Sequence, residues 1–128
     1  MKKIVTASTS QDIIAIVEKA CAQYPRFFTA DSFASTESAI SYINYELPDI
    51  KVLDYTSRAI DCDSIIEAIH SDSWLYYGGI IAICANKQEL AQIEERKDGN
   101  ILIALTTTDF AQHFERLLRV LYQNQQLL

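Results

Sequence analysis

The chain has 128 residues, of which 49% are hydrophobic and 22% are charged, as is typical of a single soluble globular domain. Acidic residues outnumber basic ones, 17 to 11, and no block of Lys or Arg occurs, so nucleic-acid binding is not expected. The apolar runs are too short for a membrane span, and we expect no signal peptide. Three scattered cysteines without metal-ligand spacing favour a reduced, cytoplasmic compartment.

Apolar runs bounded by turn or capping residues predict five β-strands. In chain order these are Lys3–Ala7, Arg26–Ala30, the run that ends on Asp54, Gly79–Ala85 and Ile101–Leu105. Segments with apolar residues at helical spacing follow the strands and predict five helices. Their predicted N-caps are Thr9, Ser35, one of Asp61, Asp63 and Ser64, then Asn86 and Thr108. Strands that alternate with helices predict a parallel sheet covered by helices on both faces.

The stretch from Pro48 to Asp54, Pro-Asp-Ile-Lys-Val-Leu-Asp, is the most informative part of the chain. A helix-ending proline precedes a short apolar strand, and a carboxylate stands on the last residue of that strand. Open α/β sheets bind their ligands at this edge. The stretch resembles the central strand of CheY-like response-regulator receiver domains, in which Pro-Asp and apolar residues precede the phosphorylated Asp.

This resemblance extends over nearly the whole chain. It implies an α/β fold, a three-layer α/β/α sandwich whose five-stranded parallel sheet has the flavodoxin-like order 2-1-3-4-5. Residues 1–122 would form the receiver-like domain, and residues 123–128 a C-terminal tail or the start of a linker.

Most of the residues that phosphorylation requires in that family have no counterpart in this sequence. The family uses an acidic pair after the first strand to hold Mg²⁺, but residues 7–9 contain no carboxylate. The switch Ser/Thr position falls on Cys84, a weak donor in a nearly apolar strand that predicts an inert, buried thiol. The Lys position falls on Ala104 or Leu105. The resemblance therefore implies a pseudo-receiver, which is not an enzyme and has no catalytic residue, metal or other cofactor.

Asp54 occupies the phospho-acceptor position, and the sequence leaves two interpretations of it open. In one, Asp54 is a structural carboxylate that neighbouring hydroxyls satisfy through hydrogen bonds. In the other, it is a residual phospho-acceptor and Arg58 supplies positive charge. The residues expected around Asp54 are Ser8, Thr9, Thr56, Arg58, Cys84 and Thr106.

The leading functional hypothesis is a non-catalytic signalling module that acts through protein–protein contacts. Its partner would be a signalling protein, a kinase, a downstream domain or a second copy of the chain, with no nucleic-acid or membrane partner. In receiver domains the fourth helix, fifth strand and fifth helix form the usual docking surface.

Two alternatives remain open. One is a phosphorylatable receiver of a two-component system that uses Asp54, and the other is a flavodoxin-like sensor of a small ligand. The aromatic cluster from Trp74 to Tyr77 predicts either an interface or a lid over the opposite end of the sheet.

Overall fold

The computed structural model describes residues 1–71, 79–96 and 101–126, in which five strands and five helices alternate. The strands are β1 Lys2–Ala7, β2 Phe28–Phe33, β3 Ile50–Asp54, β4 Gly79–Cys84 and β5 Ile101–Thr106. The helices are α1 Gln11–Ala22, α2 Thr36–Glu46, α3 Cys62–His70, α4 Lys87–Glu95 and α5 Thr107–Gln126. The predicted aromatic cluster from Trp74 to Tyr77 lies outside the described residues. None of the described helices combines the length and the apolar composition that a membrane crossing requires.

The strands form one parallel sheet in the order β2-β1-β3-β4-β5, which confirms the predicted fold class. In the centre, Val52 of β3 pairs with Thr6 of β1 and with Ile81 of β4. All the residues of β3 are buried because helices cover both faces of the sheet. The chain reverses its direction of winding between β1 and β3, so Asp54 stands at the switch point where such sheets form sites.

Three apolar clusters hold the helices to the sheet, and the smallest of them joins Ile93 of α4 to Ala82 and Cys84 of β4. On one face, Val17 of α1 and Phe114 of α5 pack in the same cluster as Val52. On the other face, Ile43 of α2 and Ile65 of α3 cover the sheet. This division follows from the alternation of side chains along each strand.

Lys51 is buried within β3, with 1% of its surface exposed. Burial lowers the pKa of its ammonium group, and the nearby Asp49 carboxylate offsets part of that effect. Successive side chains of a strand point to opposite faces, so Lys51 lies on the other face of the sheet from Asp54.

The second strand begins and ends later than the predicted Arg26–Ala30. The amides of Phe27 and Phe28 donate to the carbonyl of Tyr24 at 2.9 and 3.1 Å, so the residues before Phe28 form a turn. The strand then continues through polar, exposed residues to Phe33 because it lies at the edge of the sheet. The prediction from apolar content was therefore wrong at both ends.

Two predicted helix caps are also wrong. Ser10, not Thr9, caps α1, and its hydroxyl accepts a hydrogen bond from the amide of Ile13. At the start of α5 the hydroxyl of Thr106 accepts from the amide of Asp109 at 3.2 Å, whereas the cap was predicted at Thr108.

The remaining helix ends follow the sequence closely. The predicted caps Ser35 and Asn86 are confirmed, and Asp61 is the one of the three candidates that caps α3. Helix α2 ends at Glu46, and its C-cap Leu47, just before Pro48, adopts the left-handed conformation with φ 50° and ψ 59°. A leucine in this conformation carries a steric cost that glycine avoids.

Candidate functional site

The side chain of Asp54 is fully buried at the end of β3, and both of its oxygens accept hydrogen bonds. The hydroxyls of Ser8 and Ser57 donate to Oδ2 at 2.6 and 2.7 Å. Thr56 donates to Oδ1 with its backbone amide at 2.9 Å and also with its hydroxyl. We call Ser8, Thr56 and Ser57 the hydroxyl cage. Its four hydrogen bonds offset the cost of removing a carboxylate from water.

Local backbone structure brings the hydroxyl cage together. The register of β1 with β3 pairs Ala7 with Leu53, which sets the next residue, Ser8, beside Asp54. The amide of Ser57 donates to the carbonyl of Asp54 at 3.2 Å and closes a turn. Within that turn the carboxylate accepts from an amide two residues later, as Asp side chains commonly do in turns.

A second layer of hydrogen bonds fixes the cage. Thr9 donates to the Ser57 hydroxyl oxygen with its amide at 2.9 Å and its hydroxyl at 3.1 Å. The amide of Ser10 donates to the Ser8 hydroxyl oxygen at 2.9 Å. Each cage serine therefore accepts from the residues that begin α1 and donates to Asp54. The network ties the N-terminus of α1 to the loop after β3.

The structure brings together only some of the residues expected around Asp54. Ser8 and Thr56 bind it directly, and Thr9 acts through Ser57. Ser57 was not among the expected residues, although a hydroxyl three residues after a strand-end Asp is a usable signal for such a turn.

Arg58, Cys84 and Thr106 have no hydrogen bond to Asp54. Arg58 is exposed, and none of the contacts found among the described residues involves it. Cys84 and Thr106 pair in register at the ends of β4 and β5. Cys84 is fully buried, as predicted, and burial raises the pKa of its thiol to about 11.

These donors do not fit a magnesium ion. Mg²⁺ requires near-octahedral coordination by hard oxygens, usually carboxylates, waters and phosphates. Ser8 and Thr9 bring hydroxyls without charge, and the Asp54 oxygens are already bound to protein donors. Asp12, the nearest acid in sequence, is exposed in the first turn of α1. In the part of the chain that the structure describes, no group of three or more His, Cys, Asp or Glu side chains could hold a metal.

The residue after Asp54 links the site to two helices. The hydroxyl of Tyr55 donates to Asp63 of α3 at 2.9 Å, and Arg96, just after α4, donates to the same carboxylate oxygen at 2.7 Å. The Tyr55 ring packs against the apolar clusters under both helices. Burial raises the pKa of its hydroxyl, and the hydrogen bond to Asp63 adds to this shift.

No protein-family model and no curated protein matches the amino-acid sequence, but solved structures match the fold. A chemotaxis response regulator of Vibrio cholerae is 13% identical, with a TM-score of 0.75 over 93% of this chain and 97% of that one. The phosphorylated cyanobacterial phytochrome response regulator is 17% identical, with a TM-score of 0.73 over 94% and 90%.

A third match is the receiver domain of a sensor histidine kinase of Pseudomonas aeruginosa, whose structure has a magnesium ion coordinated in the active-site cleft. It is 15% identical, with a TM-score of 0.72 over 92% of this chain and 94% of that one. At these identities the likeness is one of fold. The chain has the fold of CheY-like response-regulator receiver domains, as the Pro48–Asp54 stretch predicted.

Proposed function

We propose that this chain is a receiver-like signalling module that acts through protein–protein contacts and is not switched by phosphorylation of Asp54. The observation that carries the proposal is the hydroxyl cage. Both oxygens of a fully buried carboxylate are held by uncharged protein donors. A carboxylate held in this way fixes the loop after β3 to the start of α1, which is a structural role.

Charge argues against phosphoryl transfer at this position. A phosphoryl group adds about −1.5 to −2 charges at neutral pH, and catalysis of its transfer depends on positioning and neutralisation of charge. Among the described residues no cation forms an ion pair with Asp54. Arg58, the proposed source of positive charge, is exposed and makes no contact with it.

The use of the hydroxyls also weakens the small-ligand hypothesis. That hypothesis needs free donors at the carboxyl ends of the strands. The hydroxyls of Ser8 and Ser57 instead donate hydrogen bonds to Asp54, and the hydroxyl of Thr9 donates one to Ser57. The hydroxyls at this edge therefore already have partners within the chain: Ser8, Thr56 and Ser57 bind Asp54, and Ser10 and Thr106 cap helices.

The α4–β5–α5 surface is the proposed docking site, by analogy with receiver domains. Among its described side chains, two large apolar ones are exposed: Ile103 of β5, at 38%, and Val120 of α5, at 45%. Helix α4 adds a polar face with a single buried residue, Ile93. Such a mixture suits a reversible contact with a kinase, a downstream domain or a second copy.

Intact-mass spectrometry tests the first part of the proposal. The protein is incubated with Mg²⁺ and acetyl phosphate, beside a receiver domain that has the full acidic set as a positive control. We expect no phosphoryl adduct on this chain. An adduct that forms on the native protein and not on Asp54→Asn would overturn the proposal.

A partner-capture experiment tests the second part. The native protein and Asp54→Asn are used as baits in matched lysates, and equilibrium sedimentation measures self-association of each. We expect the same partner, or the same dimer, at equal yield from both proteins. A partner captured only after treatment with phosphodonor would show that Asp54 is a switch.

A further inference from the structure

A groove of about 450 Å³ lies along the outer side of α2, next to the edge strand β2. Phe33 and Tyr42 are among its lining residues, and their rings are 5.0 Å apart. The hydroxyl of Tyr42 donates to Asp31 of β2 at 2.8 Å, which holds the ring across the strand. Tyr45 also lines the groove and is 86% exposed. The groove therefore presents aromatic surface to solvent.

The charges around this groove are negative. Glu37 and Glu46 line it, and no Lys or Arg is among its lining residues. Glu46 is paired with Lys3 at 2.6 Å, whereas exposed Glu37 has no ion pair or hydrogen bond from any described side chain. Asp31 adds a further carboxylate beside the groove. A cation that entered would meet an unpaired carboxylate and two tyrosine side chains, and both carboxylates and aromatic rings can attract cations.

The neighbouring strand is open to further pairing. Within the described sheet β2 has a strand partner on one side only, β1. Asp31 and Ser32 are exposed along this strand. An extended segment that paired with the free edge would direct alternate side chains to the face that α2 covers, where the groove lies.

We propose that the groove and the free edge of β2 together bind a basic, extended segment of a partner protein. The segment adds as a strand beside β2 and places Lys or Arg side chains along the groove, one toward Glu37 and another toward Tyr45. Charge selects this occupant over a second copy of the chain, because the chain has a net charge of −6 and Asp31 stands on the edge itself. The inference goes beyond the proposed function and does not depend on the state of Asp54.

An NMR titration of the ¹⁵N-labelled chain tests the proposal. The probe is a capped octapeptide of alternating Val and Arg, and the control has Glu in place of each Arg. We expect the Arg peptide to shift the amide signals of β2 and α2, to slow amide exchange in β2, and to lose affinity as salt rises. The Glu peptide should leave these signals unchanged.

Two variants locate the contact. Glu37→Gln and Tyr45→Ala should each lower the affinity for the Arg peptide by about 2–5-fold, which is the range for an exposed ion pair or cation–π contact. Glu18→Gln removes the same charge from an exposed position on α1 and should leave the affinity unchanged. The proposal is overturned if the Arg peptide shifts the amide signals of another face, or if the Glu peptide binds with equal affinity. It is also overturned if neither groove variant lowers the affinity for the Arg peptide more than Glu18→Gln does.

Discussion

The hydroxyl of Ser8 donates to Oδ2 of Asp54 at 2.6 Å and so joins the end of β1 to the end of β3. The same serine accepts from the amide of Ser10, at the start of α1. One small side chain therefore connects two central strands and a helix.

Removal of this hydroxyl should destabilise the fold. Ser8→Ala takes one donor from a buried carboxylate, and a hydrogen bond to a charged group contributes about 1.5–3 kcal/mol. We expect the free energy of unfolding, measured by urea denaturation, to fall by that amount. Ser41→Ala, at an exposed position on α2, is the matched control and should change it by less than about 0.5 kcal/mol. If Ser8→Ala and Ser41→Ala lowered the free energy of unfolding equally, the stabilising role of the hydroxyl cage would be contradicted.

Asp54→Asn should also destabilise the protein. The asparagine amide turns an NH₂ group toward donors, so the two donors to the replaced oxygen lose their acceptor. Each unsatisfied donor costs about 1–3 kcal/mol. In a site crowded with carboxylates the same change would relieve repulsion between like charges and raise stability. Urea denaturation of the two proteins at neutral pH measures the sign of the change, and a stabilised Asp54→Asn would argue for an acidic site.

The three cysteines should make the fold sensitive to alkali. Burial raises the pKa of Cys21 and Cys84 to about 11 and that of Cys62 to about 12, with the Asp54 carboxylate adding to the shift at Cys62. Between about pH 9 and 11 the unfolded thiols ionise while the folded ones stay protonated. The folded state then binds more protons, so its stability falls as pH rises through this window.

Unfolding midpoints at pH 8, 9 and 10 check this prediction. Burial lowers the pKa of Lys51, so its titration raises the stability of the folded state as pH rises, opposite to the effect of the thiols. The informative quantity is therefore the difference in pH dependence between the native chain and a cysteine variant. Cys62→Ala should lose less stability from pH 8 to 10 than the native chain does. At pH 8 the folded protein should not react with Ellman's reagent, since all three thiols are buried. The prediction is contradicted if Cys62→Ala and the native chain lose equal stability from pH 8 to 10, or if the folded native chain reacts quickly with Ellman's reagent.

Leu47→Gly should stabilise the protein. Leu47 is left-handed at the end of α2 and 50% exposed, so glycine relieves steric strain and gives up little apolar burial. We expect a gain of about 0.5–1 kcal/mol, because the relief of about 1–2 kcal/mol is partly offset by the entropy of glycine in the unfolded chain. Leu47→Ala keeps the strain and serves as the control. A lower urea midpoint for Leu47→Gly than for Leu47→Ala would show that the strain is absent.

Element order was predictable from the sequence because it depends on patterns that are local in the chain. The alternation of apolar runs and helical spacing predicted the three-layer sandwich, and the Pro48–Asp54 stretch located the central strand and its carboxylate. The caps Ser35 and Asn86 bond to amides three residues away, so neighbouring residues were sufficient to identify them.

The errors arose where distant residues compete for the same groups. Thr9 was a reasonable cap for α1, but its hydroxyl donates to Ser57, 48 residues away. Ser57 was missed because its hydroxyl reaches Asp54 only through the turn that follows β3. Among the described strands, the outer strand β2 has only β1 as a neighbour, and its polar residues gave no apolar signal. The groove beside it combines residues from α2 and β2, and no spacing along the chain brings them together.

The hydroxyl cage has a consequence for how such a module could be controlled. In the proposed module, a carboxylate sealed by the chain's own serines and threonine would be insulated from divalent ions and from phosphodonors. On the proposed function, the level of the protein rather than its covalent state would set how much partner is occupied. Cells would then adjust the signal by changing the amount of the chain, through its synthesis and turnover.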